Sequence, residues 1–474
     1  MLPLPSSHVR WSDRRLFGAW AAIALALVIA LAFLPATMIN ADEVHYAGQA
    51  RALLHGRLVP ADGDAFPTPL VDAAQHVRYP LGWPLLLAPA AAIGFRWMYL
   101  LPLAAHLFGG ALVGRLLTRR GISSWLAAAY LFHPLFWSFS RTLMSDLPAA
   151  VLLLAAMDAW EEGRPGRNAL AIAYSCFIRI GAIISAVGFG LSILPDAWRR
   201  RRDVVLIGAA SAVAIAVGWW ITRLTHVDTA HYGYAQSSSS LLNGKTFFEN
   251  LVLYGAGLLL IPPFPLLCIV LAFRRCERWI LTAIPILVFF LLYSYHDQSA
   301  RWLETLLGGQ RLVLTAHVVL FVATAGVWSR LPLLNRPAWV LAGAALVGIA
   351  ACLAVRRLER RYAGAVQAIA ACEPARLGFN SNASRAALSI DAKEYHMVDD
   401  RDPVGLGDVV LIAPQYTSNR PNVELLPYTI PSSLRDGARS CRRVGEYYLF
   451  DMAGRCPAAL EDTGCDPHPS HASH

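Results

Sequence analysis

Long apolar segments recur along this chain and restrict its fold more than any other feature. The first runs from Leu16 to Ile39 without a charged residue, and about 20 apolar residues suffice for a helix to cross a membrane. Further segments lie near residues 97–117, 122–139, 143–160, 169–179, 180–196, 204–222, 251–273, 279–295, 312–328 and 337–355. Only 15% of the residues are charged, against about 25% in soluble proteins. We therefore predict an all-α polytopic membrane protein with about eleven transmembrane helices.

Short arginine clusters between these segments indicate the orientation of the chain. Cytoplasmic loops carry an excess of basic residues, and a cytoplasmic N-terminus puts every cluster on one side. The clusters are Arg10, Arg14, Arg15; Arg115, Arg119, Arg120; Arg164, Arg167; Arg199 to Arg202; Arg274, Arg275, Arg278; and Arg330, Arg336. The first segment lacks a small-residue cleavage site, so we expect a retained span. The net charge of +9 then reflects orientation in a plasma (inner) membrane, and no nucleic-acid motif accompanies it.

Two of these clusters predict a helical hairpin. Residues 163–167 and 199–202 both look cytoplasmic, yet only about 30 residues separate them, too few for two full-length spans. We expect two short helices, 169–179 and 180–196, with Arg179 at the apex.

The same orientation places three regions outside: the loop 40–96, the loop of about 223–250, and the tail. We expect residues 1–355 to form the transmembrane domain and residues 356–474 an extracytoplasmic domain. The tail contains the strand-like runs "DVVLIAP" (408–414) and "EYYLFD" (446–451), which predict a small α/β domain before a disordered end. Its four cysteines, Cys372, Cys441, Cys456 and Cys465, allow three disulfide pairings, and the sequence leaves these open.

Two adjacent acids open the first external loop. Asn40 and Glu43 fit a capping box, in which each side chain satisfies a backbone amide of the other residue. Asp42 is not needed for that box, so it is the stronger candidate for chemistry. An apolar stripe of Val44, Ala47, Leu54 and Leu58 follows and predicts an amphipathic helix on the membrane surface.

A second acid, Asp146, lies between the third and fourth segments on the same external side. One interpretation is a helix start, with Ser145 or Asp146 as the N-cap and Pro148 in the first turn. The other is a second acidic wall of a site that includes Asp42. The sequence leaves both interpretations open.

Several basic and aromatic residues share this external face. Arginine presents a planar fork of donors that matches phosphate oxygens, so Arg78, Arg179, Arg311 and Arg141 are candidate ligands for a lipid phosphate. Arginines near span ends also snorkel to the interface, but Arg179 lies among apolar residues, where a charge is costly and usually functional. Candidate contacts to sugar or acceptor are His45, Tyr79, Trp83, His296 and Asp297, although interfacial aromatic residues have the same pattern.

Four motifs carry a resemblance to a known family. These are "ADEVHYAGQARALLHG" (41–56), "RYPLGWPLLLAPAAAIG" (78–94), "SRTLMSDLPAAVLLLAA" (140–156) and "GGQRLVLTAHVVL" (308–320). In order, spacing and sidedness they resemble the membrane-embedded GT-C glycosyltransferases, particularly the protein O-mannosyltransferase and lipid A aminoarabinose transferase branch. The chain departs from that pattern in lacking a lysine near the first loop and in its short tail domain.

The resemblance implies transfer of a sugar from a polyprenyl-phosphate donor to a glycan, lipid or protein acceptor on the extracytoplasmic face. The family's first-loop acid falls on Asp42, with Glu43 beside it, and its second acid falls on Asp146. Attack by the acceptor opposite the phosphate would invert the anomeric carbon. No nucleotide or other cofactor is required. Magnesium or manganese on Asp42 and Glu43 is compatible with carboxylate chemistry, but no ligand spacing demands it.

Two other functions remain open at this stage. A lipid transporter or flippase is the main alternative, because the broken apolar segment "LLLIPPFPLL" (258–267) resembles the interrupted helices of transporters. A membrane-tethered binding module acting through the tail is the third. The sequence names neither the sugar nor the acceptor.

Overall fold

The fold is predominantly helical. The structure, a computed structural model, describes residues 37–58, 79–122, 124–224, 242, 244–260, 277–293, 309–328, 337–380, 383–398, 405–413 and 430–457. The helices up to the tail are α1 Ala41–Leu54, α2 Gly82–Ala91, α3 Leu100–Arg119, α4 Ala127–Leu131, α5 Pro134–Ser140, α6 Asp146–Glu161, α7 Pro165–Ile178, α8 Ala182–Ile193, α9 Arg201–Leu224, α10 Phe247–Leu260, α11 Ile280–Leu292, α12 Leu314–Trp328 and α13 Pro337–Cys372. In the tail follow α14 Ser384–Ala387 and α15 Ser432–Gly437, with strands β1 Arg376–Phe379, β2 Glu394–Met397, β3 Val409–Ile412, β4 Ser440–Val444 and β5 Tyr447–Asp451.

Two described helical segments are long and apolar enough to cross a membrane: Phe95–Arg119 and Arg201–Ile221. The second has only 6% of its most apolar window buried, and Val205, Val213 and Trp219 are exposed along it. An exposed apolar surface of this length is typical of a helix that lies in lipid. Shorter apolar helices lie at Gly82–Ala91, Ala182–Asp196, Ile280–Leu292, Leu314–Val327 and Tyr362–Cys372. The total of about eleven spans stays a prediction.

The helical hairpin predicted from the arginine clusters is confirmed. Helix α7 ends at Ile178 and α8 begins at Ala182, and Arg179 lies in the turn with an extended backbone. Side chains of α7 hold this helix against α6. Asn168 donates to the carbonyl of Ala156 at 2.6 Å, and Ser175 donates to the carbonyl of Ala149 at 3.0 Å. These buried hydrogen bonds hold the hairpin apex beside the first turn of α6.

Helix α6 connects two polar ends of the helical domain. Asp146 begins it and Glu161 ends it, about 23 Å apart at a rise of about 1.5 Å per residue. At the second end, acids in the last turn of α6 and at its C-cap pair with arginines that the sequence predicts on one side of the membrane. These pairs include Arg119–Asp158 at 2.8 Å, Arg120–Glu161 at 2.9 Å, Arg115–Glu162 and Arg164–Glu162 at 3.4 Å. We call this end the ion-pair end.

The tail contains a five-stranded mixed sheet in the order β2-β1-β3-β5-β4. The predicted strands at 408–414 and 446–451 are confirmed as β3 and β5. One face of the sheet, including Phe379 and Leu449, joins the core with α13, and the other buries Phe450 against Leu434. A disulfide between Cys372 and Cys456 joins the end of α13 to the residues after β5, and Cys441 is also disulfide-bonded.

The tail rests on helix α1. Asp391 accepts from the amide of Phe95 at 2.8 Å and pairs with Arg51 of α1 at 3.3 Å. The Arg51 guanidinium also lies 4.7 Å from the ring centroid of Tyr395, and the Met38 amide donates to Ser389 at 2.9 Å. The tail therefore covers the helix that carries the first two candidate acids.

Candidate active site

The start of α1 contains the predicted capping box. The Asn40 side chain accepts from the Asp42 amide at 3.0 Å, and Glu43 accepts from the Asn40 amide at 2.8 Å. Glu43 reaches further than the sequence indicates, because its other oxygen accepts from the Tyr99 hydroxyl at 2.8 Å and the Leu143 amide at 2.9 Å. Glu43 therefore joins three segments of the chain and fixes the position of Asp42.

Burial governs the protonation of Glu43. The side chain is fully buried, and loss of hydration raises its pKa to about 7 even though its hydrogen bonds act in the opposite direction. No positive charge is among the causes of the shift. With both oxygens engaged, Glu43 acts as a structural acid.

Helix α1 differs from the predicted amphipathic helix on a membrane surface. Residues 43–52 are all buried, so the helix has no polar face toward solvent. Val44 and Ala47 lie in the core, as their apolar character requires, but Leu54 and Leu58 are 43% and 44% exposed. The prediction was wrong because helix α2 and the tail, both distant in sequence, enclose α1.

Asp42 forms an ion pair with Arg311. The carboxylate Oδ2 lies 2.7 Å from the guanidinium Nη1, and the side chains are only 14% and 7% exposed. Arg311 lies in the turn before α12. The neighbouring residue Gln310 holds this turn in place. The Gln310 side chain donates to the Leu253 carbonyl at 2.8 Å and bonds His317 at 2.9 Å. The turn therefore presents Arg311 from a fixed position.

Asp146 forms a matching ion pair with Arg179. Its Oδ1 lies 2.7 Å from Nη1 of Arg179, and the Asp146 side chain is 1% exposed. The charge of Asp146 also interacts with those of Arg311 and Asp42. These four residues, Asp42, Arg311, Asp146 and Arg179, therefore form one group, which we call the charge cluster.

The first turn of α6 combines both sequence interpretations of Asp146. Ser145 occupies the N-cap position and Asp146 the first turn, but Ser145 makes no capping hydrogen bond. Its hydroxyl instead lies 2.8 Å from that of Tyr46. The helix start is real, and Asp146 is directed to Arg179.

Tyr46 is a residue of this site that sequence reasoning missed. It is buried, interacts electrostatically with Arg179, Asp146 and Asp42, and burial raises its pKa. Its ring stacks on Tyr79 at 4.6 Å, and Tyr79 lies 5.8 Å from His45. The signal was available in the spacing, because residues four apart share a helix face and Tyr46 follows Asp42 by four.

Other candidate residues are not members of the charge cluster. Trp83 is 1% exposed and donates to the Leu143 carbonyl at 2.6 Å, so it is a buried core residue. Arg141 pairs with Glu359 at 3.0 Å, a partner that the sequence did not indicate. Arg78, His296 and Asp297 lie outside the described residues.

The carboxylates of Asp42 and Glu43 do not converge. Asp42 contacts Arg311, whereas Glu43 contacts backbone amides and Tyr99. Among the residues that the structure describes, no three His, Cys, Asp or Glu side chains are grouped so that they could hold a metal ion. The two acids thus face different partners.

Comparison with known proteins identifies the fold. No family model and no curated protein matches the sequence. Apo ArnT from Cupriavidus metallidurans matches with a TM-score of 0.58 and 14% identity, over 93% of this chain and 99% of that chain. The chain has the GT-C fold. ArnT bound to undecaprenyl phosphate matches over the same shares, with a TM-score of 0.54 and 13% identity.

A weaker match is the arabinosyltransferase EmbB from Mycobacterium smegmatis. Its TM-score is 0.37 at 17% identity, over 77% of this chain and 40% of that chain.

The fold brings together Asp42, Asp146 and two arginines from motifs that are far apart in sequence. Asp42 and Arg311, for example, are separated by 269 positions.

Proposed function

We propose that this protein is an integral membrane glycosyltransferase that moves a hexose or pentose from a polyprenyl-phosphate donor to an acceptor hydroxyl. The charge cluster is the observation that carries the proposal. It places two carboxylates and two guanidinium groups at one polar end of an apolar helical domain, with each pair at 2.7 Å. The likeness to ArnT, a protein that binds undecaprenyl phosphate, supports a polyprenyl lipid as the donor carrier.

The chemistry divides between the acids and the arginines. A sugar phosphate already has a good leaving group, so the enzyme must remove the acceptor proton and stabilise the departing phosphate. Asp42 is the proposed base, and Asp146 orients the sugar or acceptor. Arg311 and Arg179 bind the phosphate. Attack opposite the phosphate inverts the anomeric carbon.

The ion pairs connect donor binding to the activity of the base. Arg311 pairs with Asp42 and Arg179 with Asp146. A donor phosphate competes for the same guanidinium groups, because arginine binds phosphate and carboxylate with the same fork of donors. Donor binding thereby releases Asp42 from Arg311 and makes its carboxylate available to the acceptor hydroxyl. The base becomes active when the donor is in place.

The proposed location follows from the orientation that the arginine clusters predict. The charge cluster faces the extracytoplasmic side of the inner membrane, and the ion-pair end faces the cytoplasm. The N-terminus is cytoplasmic and the tail extracytoplasmic. The acceptor is a glycan, a lipid or a protein, and the proposed steps use no cofactor. Magnesium or manganese dependence is tested by adding chelator to the transfer assay.

Replacement of Asp42 tests the function directly. The protein is reconstituted in liposomes with a panel of polyprenyl-phosphate hexoses and pentoses, and sugar transfer to envelope extracts is followed by mass spectrometry. We expect Asp42→Asn to lower the transfer rate about 10²- to 10⁴-fold, the contribution typical of a general base. Asp196→Asn is the matched control, because Asp196 pairs with Arg278 at 3.0 Å at the ion-pair end.

The outcomes separate the candidate functions. A folded Asp42→Asn protein that transfers sugar at the wild-type rate removes Asp42 as the base. If wild-type protein moves polyprenyl phosphate across the bilayer without transferring sugar, the transporter or flippase alternative is correct. Comparison of envelope glycans with and without the protein then identifies the sugar.

A further inference from the structure

One face of helix α13 is exposed along much of the helix, and it changes from apolar to basic along the chain. Leu346, Ile349 and Leu353 are 69%, 43% and 64% exposed. Arg356, Arg357 and Arg360 continue the same face and are also exposed. At about 100° per residue, all six lie within an arc of about 100°. We call this the leucine-arginine face.

Glu359 shows where the leucine-arginine face lies relative to the charge cluster. Its side chain pairs with Arg141 at 3.0 Å, and Arg141 lies two positions before Leu143, whose amide donates to Glu43. The three arginines are therefore level with the start of α1 and the charge cluster. Pro337, at the other end of α13, is about 33 Å away at a rise of about 1.5 Å per residue.

That length matches a bilayer. A hydrocarbon core is about 30 Å thick, and residues 337–355 contain no charged residue. Placing Pro337 at the cytoplasmic boundary puts Leu346, Ile349 and Leu353 beside acyl chains. The arginines then lie at the outer headgroup level.

The arginines differ from those at the ion-pair end. Within the described part of the chain, no acidic side chain forms an ion pair with Arg356, Arg357 or Arg360, whereas Arg115, Arg119 and Arg120 all have acidic partners. Arginines are also disfavoured in external loops next to spans. Three exposed arginines at the outer headgroup level therefore indicate an interaction with a negatively charged group outside the chain.

We propose that the leucine-arginine face binds an anionic phospholipid of the outer leaflet. The phosphate contacts Arg356, Arg357 and Arg360, and an acyl chain lies along Leu346, Ile349 and Leu353. Glu359 is about 110° from the centre of the face around the helix, so the face is directed away from the charge cluster. A bilayer lipid therefore fits this face better than the sugar donor, whose phosphate must reach Asp42. The proposal depends on membrane placement and not on the transfer reaction.

Lipid retention tests this proposal. The full-length protein is placed in nanodiscs of phosphatidylcholine with phosphatidylglycerol, extracted gently, and analysed by native mass spectrometry for bound phosphatidylglycerol. Each arginine near an anionic surface contributes about fivefold to binding. The triple variant Arg356→Gln, Arg357→Gln, Arg360→Gln should therefore lose up to about a hundredfold in phosphatidylglycerol affinity, while the corresponding lysine triple variant retains most of it.

A matched control removes three exposed arginines from the tail: Arg435→Gln, Arg439→Gln, Arg443→Gln. This variant has the same net charge as the glutamine triple variant and should bind phosphatidylglycerol like the wild type. Size-exclusion profiles check that every variant is folded. Equal loss in the control, or full retention in the α13 glutamine variant, overturns the proposal. Nanodiscs that also contain undecaprenyl phosphate provide a competition, and retention of undecaprenyl phosphate in preference to phosphatidylglycerol also overturns the proposal.

Discussion

The two polar ends of helix α6 use the same residue types in different ways. At the charge cluster, Asp146 pairs with Arg179 and Asp42 with Arg311, both at 2.7 Å. At the ion-pair end, acids and arginines share partners: Asp158 lies 3.1 Å from Arg115 and 2.8 Å from Arg119. Glu161 also accepts from the Trp279 indole at 3.0 Å as well as pairing with Arg120.

This difference separates a structural network from an exchangeable site. Where several groups share each charge, loss of one leaves the others in place, and the network joins α3, α6 and the start of α11. At the charge cluster, the arginines that pair with the acids are also groups that a phosphate can bind, so a ligand that takes an arginine changes the state of the acid. The buried pairs at the charge cluster thus suit a site that must respond to phosphate.

The largest expected effect on stability comes from Arg179→Gln. This change leaves Asp146 buried without its ion-pair partner, and breaking a buried pair in this way costs about 3–5 kcal/mol. Thermal unfolding in detergent should show a correspondingly lower midpoint. The double variant Arg179→Gln, Asp146→Asn removes both charges and should recover most of the lost stability. A double variant as unstable as the single one contradicts the proposed pairing.

Arg311→Gln should affect transfer more than stability. Removing one fixed donor to a developing negative charge typically costs about 10²- to 10³-fold in rate, and the remaining Asp42 side chain is partly exposed. The transfer assay measures this loss. Arg120→Gln, which removes a charge from the ion-pair end, is the matched variant and should transfer sugar at close to the wild-type rate. A similar loss in both variants would remove the distinction between the two ends.

Glu43 sharpens the comparison, because it is a buried acid with no arginine among its contacts. Its pKa is raised from 4.5 to about 7, so between these values the folded protein binds more protons than the unfolded one. The contribution of Glu43 to stability is therefore fully present below about pH 4.5 and is lost as pH rises through 7, a change of about 3 kcal/mol.

The unfolding midpoint from pH 5 to pH 8 measures this slope. Glu43→Gln should lack the Glu43 part of it, while Glu446→Gln, an exposed tail substitution, should keep it. An unchanged slope in Glu43→Gln contradicts the assignment.

Local spacing predicted part of the site, and long-range contacts formed the rest. The Asn40–Glu43 capping box and the Arg179 hairpin depend on neighbouring residues and on arginine counts, so the sequence was sufficient. The Arg141–Glu359 pair has partners 218 positions apart, and no periodicity encodes such a contact. The burial of Trp83 was not predictable for the same reason, because an aromatic residue near a span end resembles an interfacial residue until its surroundings are known. The predominantly helical fold followed from the long apolar segments, and the likeness to the GT-C fold from the four motifs, whereas the number of spans stays a prediction.

The smallest expected effect is that of Arg115→Gln at the ion-pair end. The Arg115 side chain is 48% exposed and shares Asp158 with Arg119, so solvent and the second arginine both compensate for its loss. Exposed ion pairs contribute at most about 1 kcal/mol, and we expect a midpoint shift within that range with unchanged transfer. A loss as large as that of Arg179→Gln would show that the ion-pair end is as sensitive as the charge cluster. In that case the sharing of partners at the ion-pair end would not distinguish structural charges from functional ones.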